Sequence, residues 1–276
     1  ALGSIEEEWG VLMFFMNKRD GGGKGGRGTE QLVVFGPPRA RRGAELKVMS
    51  SVETKAPGHF TRGVREKQSS EKGFDTDRMI FKDDELSYAL GKEGATRKKL
   101  EGAAGTILQY VGHVAFIAGT LKERKRCKEY ISWLLAQRRG SVTIPSISQR
   151  DDAVEMHIPD NCKGWVTGNR GSELRRMEQE TGTFMFMALD DRGDERLIIF
   201  CHNAGSKVSD RGRIAAERLV NEMIQEKLRD DGPRGGGKDS RSPSRRRGRS
   251  ESRRRSPSRR RSPSRRKNSR SRSRRR

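Results

Sequence analysis

Apolar and polar positions along this chain follow two alternating rhythms, a period of two and a period near 3.6, and the alternation recurs. Residues 153–158 alternate as a half-buried strand does, and Pro159 and Asp160 then open a helix toward Val166. Over 172–180, Leu174 and Met177 share one face while Arg175, Arg176 and Glu178 point away, which predicts an amphipathic helix closed by Gly182. Strands are predicted at 183–189 and 197–202 around a polar turn at 190–195. A final helix at 209–228 follows, with Ile214, Leu219, Met223 and Leu228 as its apolar stripe. The same order reads at 78–82, 106–111, 114–118 and 121–137. Its second half alone reads at 11–16, 31–35 and 39–54. Met177, Phe184, Met185, Phe186 and Met187 fall at core positions.

The repetition is literal. Laid over 165–187 without a gap, 88–110 places Gly91 on Gly168, Gly94 on Gly171, Gly105 on Gly182, Glu101 on Glu178 and Thr106 on Thr183. Self-similarity at fixed spacing marks a duplicated module. Ile5, Glu6 and Gly10 match Leu100, Glu101 and Gly105, so a third copy is expected to survive only in its second half, with its own loop lying before Ala1. The expected segments are a truncated module at 1–56, a linker at 57–75, a module at 76–139, a flexible linker at 140–150, a module at 151–229 and a tail at 230–276.

Charge sharpens this division. The formal net charge is +23, yet residues 240–276, nearly all Arg, Ser and Pro, carry +18 of it and the other 239 residues only +5. Such a tail has almost no apolar surface to offset the entropy of ordering, so it is expected to be disordered and to meet polyanions. Three cysteines without metal-ligand spacing suit a reducing compartment. No apolar run approaches the ~20 residues that span a bilayer, so no membrane partner is expected. The Gly-rich stretch 21–29 lacks the Ser or Thr after Gly-Lys that a phosphate loop needs, and reads as a flexible inter-strand loop. His157, Cys162, Cys201 and His202 match no zinc pattern, and no nucleophile, base or nucleotide fingerprint assembles. The expectation is a chain that is not an enzyme and takes no metal or cofactor.

The chemistry concentrates in the glycine loops. Gly91-Lys92-Glu93-Gly94 and Gly168-Asn169-Arg170-Gly171 each open a helix. Glycines without Cβ let the backbone turn sharply and let a sugar-phosphate chain come close, while the amides and dipole of the helix start favour anions. Lys98, Lys99, Arg175 and Arg176 lie just behind the loops and add positive charge. Ile158-Pro159, Gly164-Trp165-Val166-Thr167-Gly168-Asn169-Arg170-Gly171 and Thr181-Gly182 together resemble the KH (K homology) domain in its type I arrangement. The resemblance implies an α+β chain of tandem modules, each a three-stranded antiparallel sheet packed on three helices. It also implies loops that clamp about four single-stranded nucleotides. The middle copy departs at Ser87 and Arg97, which loosens its expected core, and its Glu93 repels phosphate; the last copy departs at Thr167. Trp165 either packs between helices or stacks on a base.

The tail repeats Arg-Ser-Pro-Ser-Arg-Arg and resembles the RS domains of serine/arginine-rich splicing factors, with Ser242, Ser244, Ser256, Ser258, Ser262 and Ser264 as candidate phosphorylation sites. Together these readings point to a nuclear protein binding single-stranded RNA, pre-mRNA or mRNA, in splicing or mRNA processing. RS-domain splicing proteins and a serine/arginine protein kinase are the expected protein partners. A protein-interaction scaffold and a single-stranded DNA binder are the alternatives.

Overall fold

The computed structural model describes residues 2–18, 29–202 and 207–231. Most of the Gly-rich loop, the tail from residue 232 and its six candidate serines lie outside the described residues.

The elements follow the predicted order. A first group comprises α1 (Leu2–Trp9), β1 (Leu12–Lys18), β2 (Thr29–Phe35) and α2 (Pro38–Lys55). The middle module comprises β3 (Asp75–Ile80), α3 (Asp83–Leu90), α4 (Ala95–Ala104), β4 (Ile107–Val111), β5 (Val114–Gly119) and α5 (Leu121–Ala136). The last comprises β6 (Ala153–Met156), α6 (Asp160–Thr167), α7 (Ser172–Thr181), β7 (Phe184–Leu189), β8 (Glu195–Phe200) and α8 (Lys207–Asp231). All three sheets are antiparallel: β1-β2, β3-β5-β4 and β6-β8-β7. The fold is therefore α+β, with the middle and last modules sharing one element order and one sheet order.

Strands β4, β5, β7 and β8 read as nearly continuous apolar runs because they serve two cores. In the middle sheet Leu108, Tyr110, Ala115 and Ile117 face their own module's helices, while Ile107, Val111, Val114, Phe116 and Ala118 pack under Leu46 and Met49 of α2. In the last sheet Met185, Leu197 and Ile199 face α6 to α8, while Phe184, Phe186, Ile198 and Phe200 join the core under α5. Period-two alternation thus survives as an alternation between cores rather than between core and water. The final helices of the first group and of the middle module, α2 and α5, each lie on the sheet that follows.

One carboxylate is reused three times to start a strand. Glu6 accepts the amide of Met13 at 2.7 Å, Glu101 that of Leu108 at 3.2 Å and Glu178 that of Met185 at 2.9 Å. The seven-residue spacing carries the chain around Gly10, Gly105 and Gly182, all at positive φ. The match of Glu101 to Glu178 in the sequence reflects this bond.

Three expectations change. Strand β3 starts at Asp75 rather than at residue 78, because its first half hides polar residues: Asp77 is buried against Arg124 at 3.0 Å and Lys128 at 2.7 Å. The α8 face that meets the core runs through Ala216, Val220 and Ile224, with Leu219 and Met223 partly buried, whereas Ile214 and Leu228 are exposed. Gly212 fixes that face, since a Cβ there would come within 2.7 Å of the Thr181 carbonyl. Finally, the segment 140–150 is no free tether. Val142, Ile144 and Ile147 are buried, and Val142 and Ile144 exchange hydrogen bonds of 2.8 and 3.0 Å with Leu189 at the edge of β7. Arg150 completes the joint, bonding Asp152 at 2.8 Å and Glu129 at 2.9 Å over the Trp133 ring.

Candidate nucleic-acid interface

The two glycine loops have one conformation. Gly91 and Gly168 share φ 69°, with ψ 175° and 178°. Gly94 and Gly171 close the loops in the left-handed region, at φ 75° and 77°. The first glycine is required twice over. Its φ disfavours L side chains, and a Cβ on Gly168 would sit 2.6 Å from Ser172 Oγ and 2.9 Å from the Glu173 amide nitrogen. On Gly91 the clash is with Thr96. The backbone is thereby pressed against the start of the following helix.

Between the glycines, Glu93 and Arg170 hold φ of 54° and 51°, a region non-glycine residues rarely occupy. That strain projects them from the surface: Lys92, Glu93, Asn169 and Arg170 are all exposed. Helices α4 and α7 start on glycine caps with no side-chain cap hydrogen bond, in contrast to α5, whose Thr120 and Glu123 form a capping box. The amides of Gly94 and Ala95, and of Gly171 and Ser172, close the loop turn on carbonyls of Gly91, Lys92, Gly168 and Asn169, and the positive end of each helix dipole lies at the loop, an arrangement suited to an anion.

The flanking cations divide. Lys98 and Arg175 are exposed beside their loops. Arg176 is engaged by Glu173 at 2.9 Å and Glu180 at 3.6 Å on its own helix. Lys99, expected behind the middle loop, instead points into the joint between modules, 2.8 Å from Glu178 and 5.1 Å from the Phe184 ring centroid. Burial pushes the Glu178 carboxyl above its ordinary value, and Lys99 is the main opposing influence.

Arg97 is also better accommodated than its sequence position implied. Its guanidinium bonds Glu101 at 2.7 Å and the Leu108 carbonyl at 2.6 Å, so the polar head is satisfied inside the module. Burial raises the Glu101 carboxyl, with Arg97 pulling the other way.

Trp165 is 45% exposed, three residues before Gly168. Tyr88 stands at the equivalent place before Gly91 and is 41% exposed. Direct superposition of the two copies pairs these aromatics, yet the sequence reading passed over Tyr88. In the middle module Arg138 lies over the Tyr88 ring at 5.4 Å while bonding Asp84 at 3.0 Å. Both modules thus present a half-exposed aromatic beside the loop, that of the middle module with Arg138 over its ring. His157 bonds Arg196, Cys162 is buried, and His202 sits against Gly102 and Gly105. Among the described residues no group of three or more His, Cys, Asp and Glu is placed to hold a metal ion, and no helix is long and apolar enough to cross a membrane.

Comparison with known proteins agrees with the geometry of the last module, since residues 153–204 match the KH domain family. No curated protein sequence matches the chain. Among solved structures it is similar to a chain in a complex of a/eIF2alpha, aDim2p and rRNA from Pyrococcus horikoshii OT3, at 12% identity and a TM-score of 0.22, covering 57% of this chain and 92% of that one. It is also similar to Dim2p from the same organism, at 14% identity and a TM-score of 0.22, over 56% of this chain and 99% of the other. A third is a protein of unknown function from Aeropyrum pernix, at 14% identity and a TM-score of 0.18, over 57% and 94%.

Proposed function

We propose that this protein binds single-stranded RNA through two tandem KH modules, the last of them the stronger. The observation that carries the reading is the repeated loop: two glycine-bounded turns of one conformation, each setting two exposed residues at the start of a helix. Backbone amides and loop cations grip phosphates and set position, while groove contacts choose bases. Asn169, Arg170, Arg175 and Trp165 make the last loop the principal grip; Lys92 and Lys98 contribute less beside Glu93.

In this reading the RS-like tail adds salt-sensitive, sequence-independent affinity for RNA. Each phosphoserine brings about −1.5 to −2 charges, so modification of Ser242, Ser244, Ser256, Ser258, Ser262 and Ser264 by a serine/arginine protein kinase offsets much of it. A nuclear role in pre-mRNA splicing or mRNA processing, with RS-domain partners, follows from the tail's composition.

A second reading, an interaction scaffold, is favoured by one feature, the middle module's Arg138 covering Tyr88 beside the acidic Asp84 and Glu93. The full chain titrated with single-stranded RNA and DNA of equal length, at salt high enough to suppress the tail, separates the possibilities. Placing Asp at Asn169 and Arg170 is expected to lower RNA affinity at least tenfold, and Asp at Lys92 and Glu93 to lower it less. Unchanged affinity removes the loops from the mechanism. No saturable binding by the unsubstituted chain favours the scaffold, and equal grip on DNA favours a single-stranded DNA role.

A further inference from the structure

Arg78 of β3 is a half-buried cation without a counter-ion. Its Nε is buried with no hydrogen-bond partner, and among the described residues its guanidinium meets no carboxylate. Burying such a group unpaired is costly, so its position calls for an anion or an ordered water. The side chain lines an open cleft of about 490 Å³ where α2 meets the middle sheet. The cleft is built by the middle module and its lead-in, with Lys67, Phe74 and Phe116 among its walls. Arg42 of α2 also lines it, held there by a 3.1 Å bond to Thr76.

The acids nearby answer other cations. Glu45 pairs with Arg42 at 2.6 Å, and Asp75 pairs with Lys67 at 3.2 Å while accepting the Thr76 amide at 2.7 Å. Arg78 therefore supplies the uncompensated charge, as a planar fork that matches phosphate with two parallel hydrogen bonds. Apolar surface completes the cleft. Phe116 is buried within the sheet, and Phe74 at the start of β3 is 39% exposed. An accessible aromatic ring beside a phosphate-binding arginine suits a nucleotide, with the base on the ring and the phosphate on the cation. The size agrees, since small-ligand clefts run from about 300 to 1,000 Å³. The site belongs to this module and not to the repeat. Arg78 opposes Phe116, which opposes Gln109; in the last sheet Glu155 opposes Ile198, which opposes Phe186. Register thus places the exposed Glu155 where the middle module has Arg78, and a carboxylate there repels what a guanidinium attracts.

We infer that this cleft binds a nucleotide, its phosphate on Arg78 with Arg42 and Lys67 beside it and its base on Phe74. The nucleotide is one unit of a bound single strand or a free mononucleotide. The first source rests on the RNA binding proposed above; the site itself does not. Arg78 lies on the face of the middle sheet that meets α2, opposite the face packed on the module's own helices. A strand held there gives the middle module a grip apart from its loop, where Glu93 repels phosphate.

The probe is adenosine monophosphate, added to the isotope-labelled full chain at fixed salt and followed by NMR through the amide signals of Phe74, Thr76 and Arg78. Saturable shifts are expected there. Arg78→Met is expected to weaken binding at least tenfold while leaving the melting temperature at or above the parent's, because it removes an unpaired buried charge. Phe74→Ala is expected to bring adenosine monophosphate down to the affinity of inorganic phosphate, titrated alongside. Unchanged affinity in Arg78→Met overturns the site, and equal affinity of the parent for phosphate and adenosine monophosphate overturns the nucleotide. A phosphoserine peptide that moves the same signals and binds more tightly than adenosine monophosphate assigns the cleft to a protein partner and overturns it as well. Single-stranded RNA then separates the sources, titrated into the chain with Asp at Asn169 and Arg170, with and without Arg78→Met. A further loss of at least threefold places a nucleotide of the strand in the cleft. No further loss, or no RNA binding at all, with adenosine monophosphate still bound, assigns the cleft to a free mononucleotide.

Discussion

Lys99 on α4 and Glu178 on α7 join two modules through one carboxylate, which holds the ammonium at 2.8 Å with one oxygen and the Met185 amide at 2.9 Å with the other. The same group thus starts a strand within its module and ties that module to its neighbour. Replacing Glu178 by Ala is expected to cost about 1.5–3 kcal/mol, the range for hydrogen bonds to charged groups, read as a lower urea midpoint. Glu178→Gln keeps an acceptor for Met185 and is expected to lose less. Lys99→Met is expected to leave RNA affinity nearly unchanged while lowering stability, because the side chain lies in the joint.

Trp165→Ala is expected to weaken RNA binding by about 1–3 kcal/mol, the measured worth of a base stacked on an aromatic ring. Tyr88→Ala is expected to do less, since Arg138 already occupies that ring. Quenching of Trp165 emission during titration checks the first directly. Emission that does not change on saturation would place the bases elsewhere.

Phe200 is fully buried and touches Tyr130, Trp133, Phe184 and Phe186. Phe200→Ala is expected to cost about 3–5 kcal/mol through lost burial and the cavity left behind. Since this ring belongs to the core shared with α5, calorimetry is expected to show one transition for the parent and two for the variant.

His202 gives the joint a pH dependence. Burial, then Arg126, lowers its pKa from the ordinary 6.5, against the opposing pull of the Gly102 and Ala103 carbonyls and Glu123. The folded chain therefore binds this proton less readily than the unfolded chain. The stability His202 contributes is complete above pH 6.5 and is lost as pH falls through 6.5 toward the lowered folded value. An NMR titration is expected to show a His202 midpoint below 6.5, and His202→Gln is expected to flatten the melting temperature between pH 5 and 7.

The module order, the glycine loops and the Glu101 and Glu178 match were legible in the sequence because each is local: a period, a turn residue, a fixed offset. The joint was not. Residues 140–150 look like a linker by composition, and only the edge of β7, distant in sequence, turns Val142 and Ile144 into a strand partner. The role of Lys99 was hidden for the same reason, since a lysine behind a phosphate-facing loop and a lysine facing a neighbouring carboxylate have identical local sequence. Ile214 misled differently. A period near 3.6 does not say which of two adjacent stripes faces inward, and Gly212, through its close approach to Thr181, decided it.

The short pairing of Val142 and Ile144 with Leu189 ties the two loop-bearing modules together. With both loops carried on one body, the distance between them is a property of the protein. Under the proposed function, nucleotides bridging the loops must span that interval, so spacing between contacted sites becomes a selection rule alongside the identity of the bases.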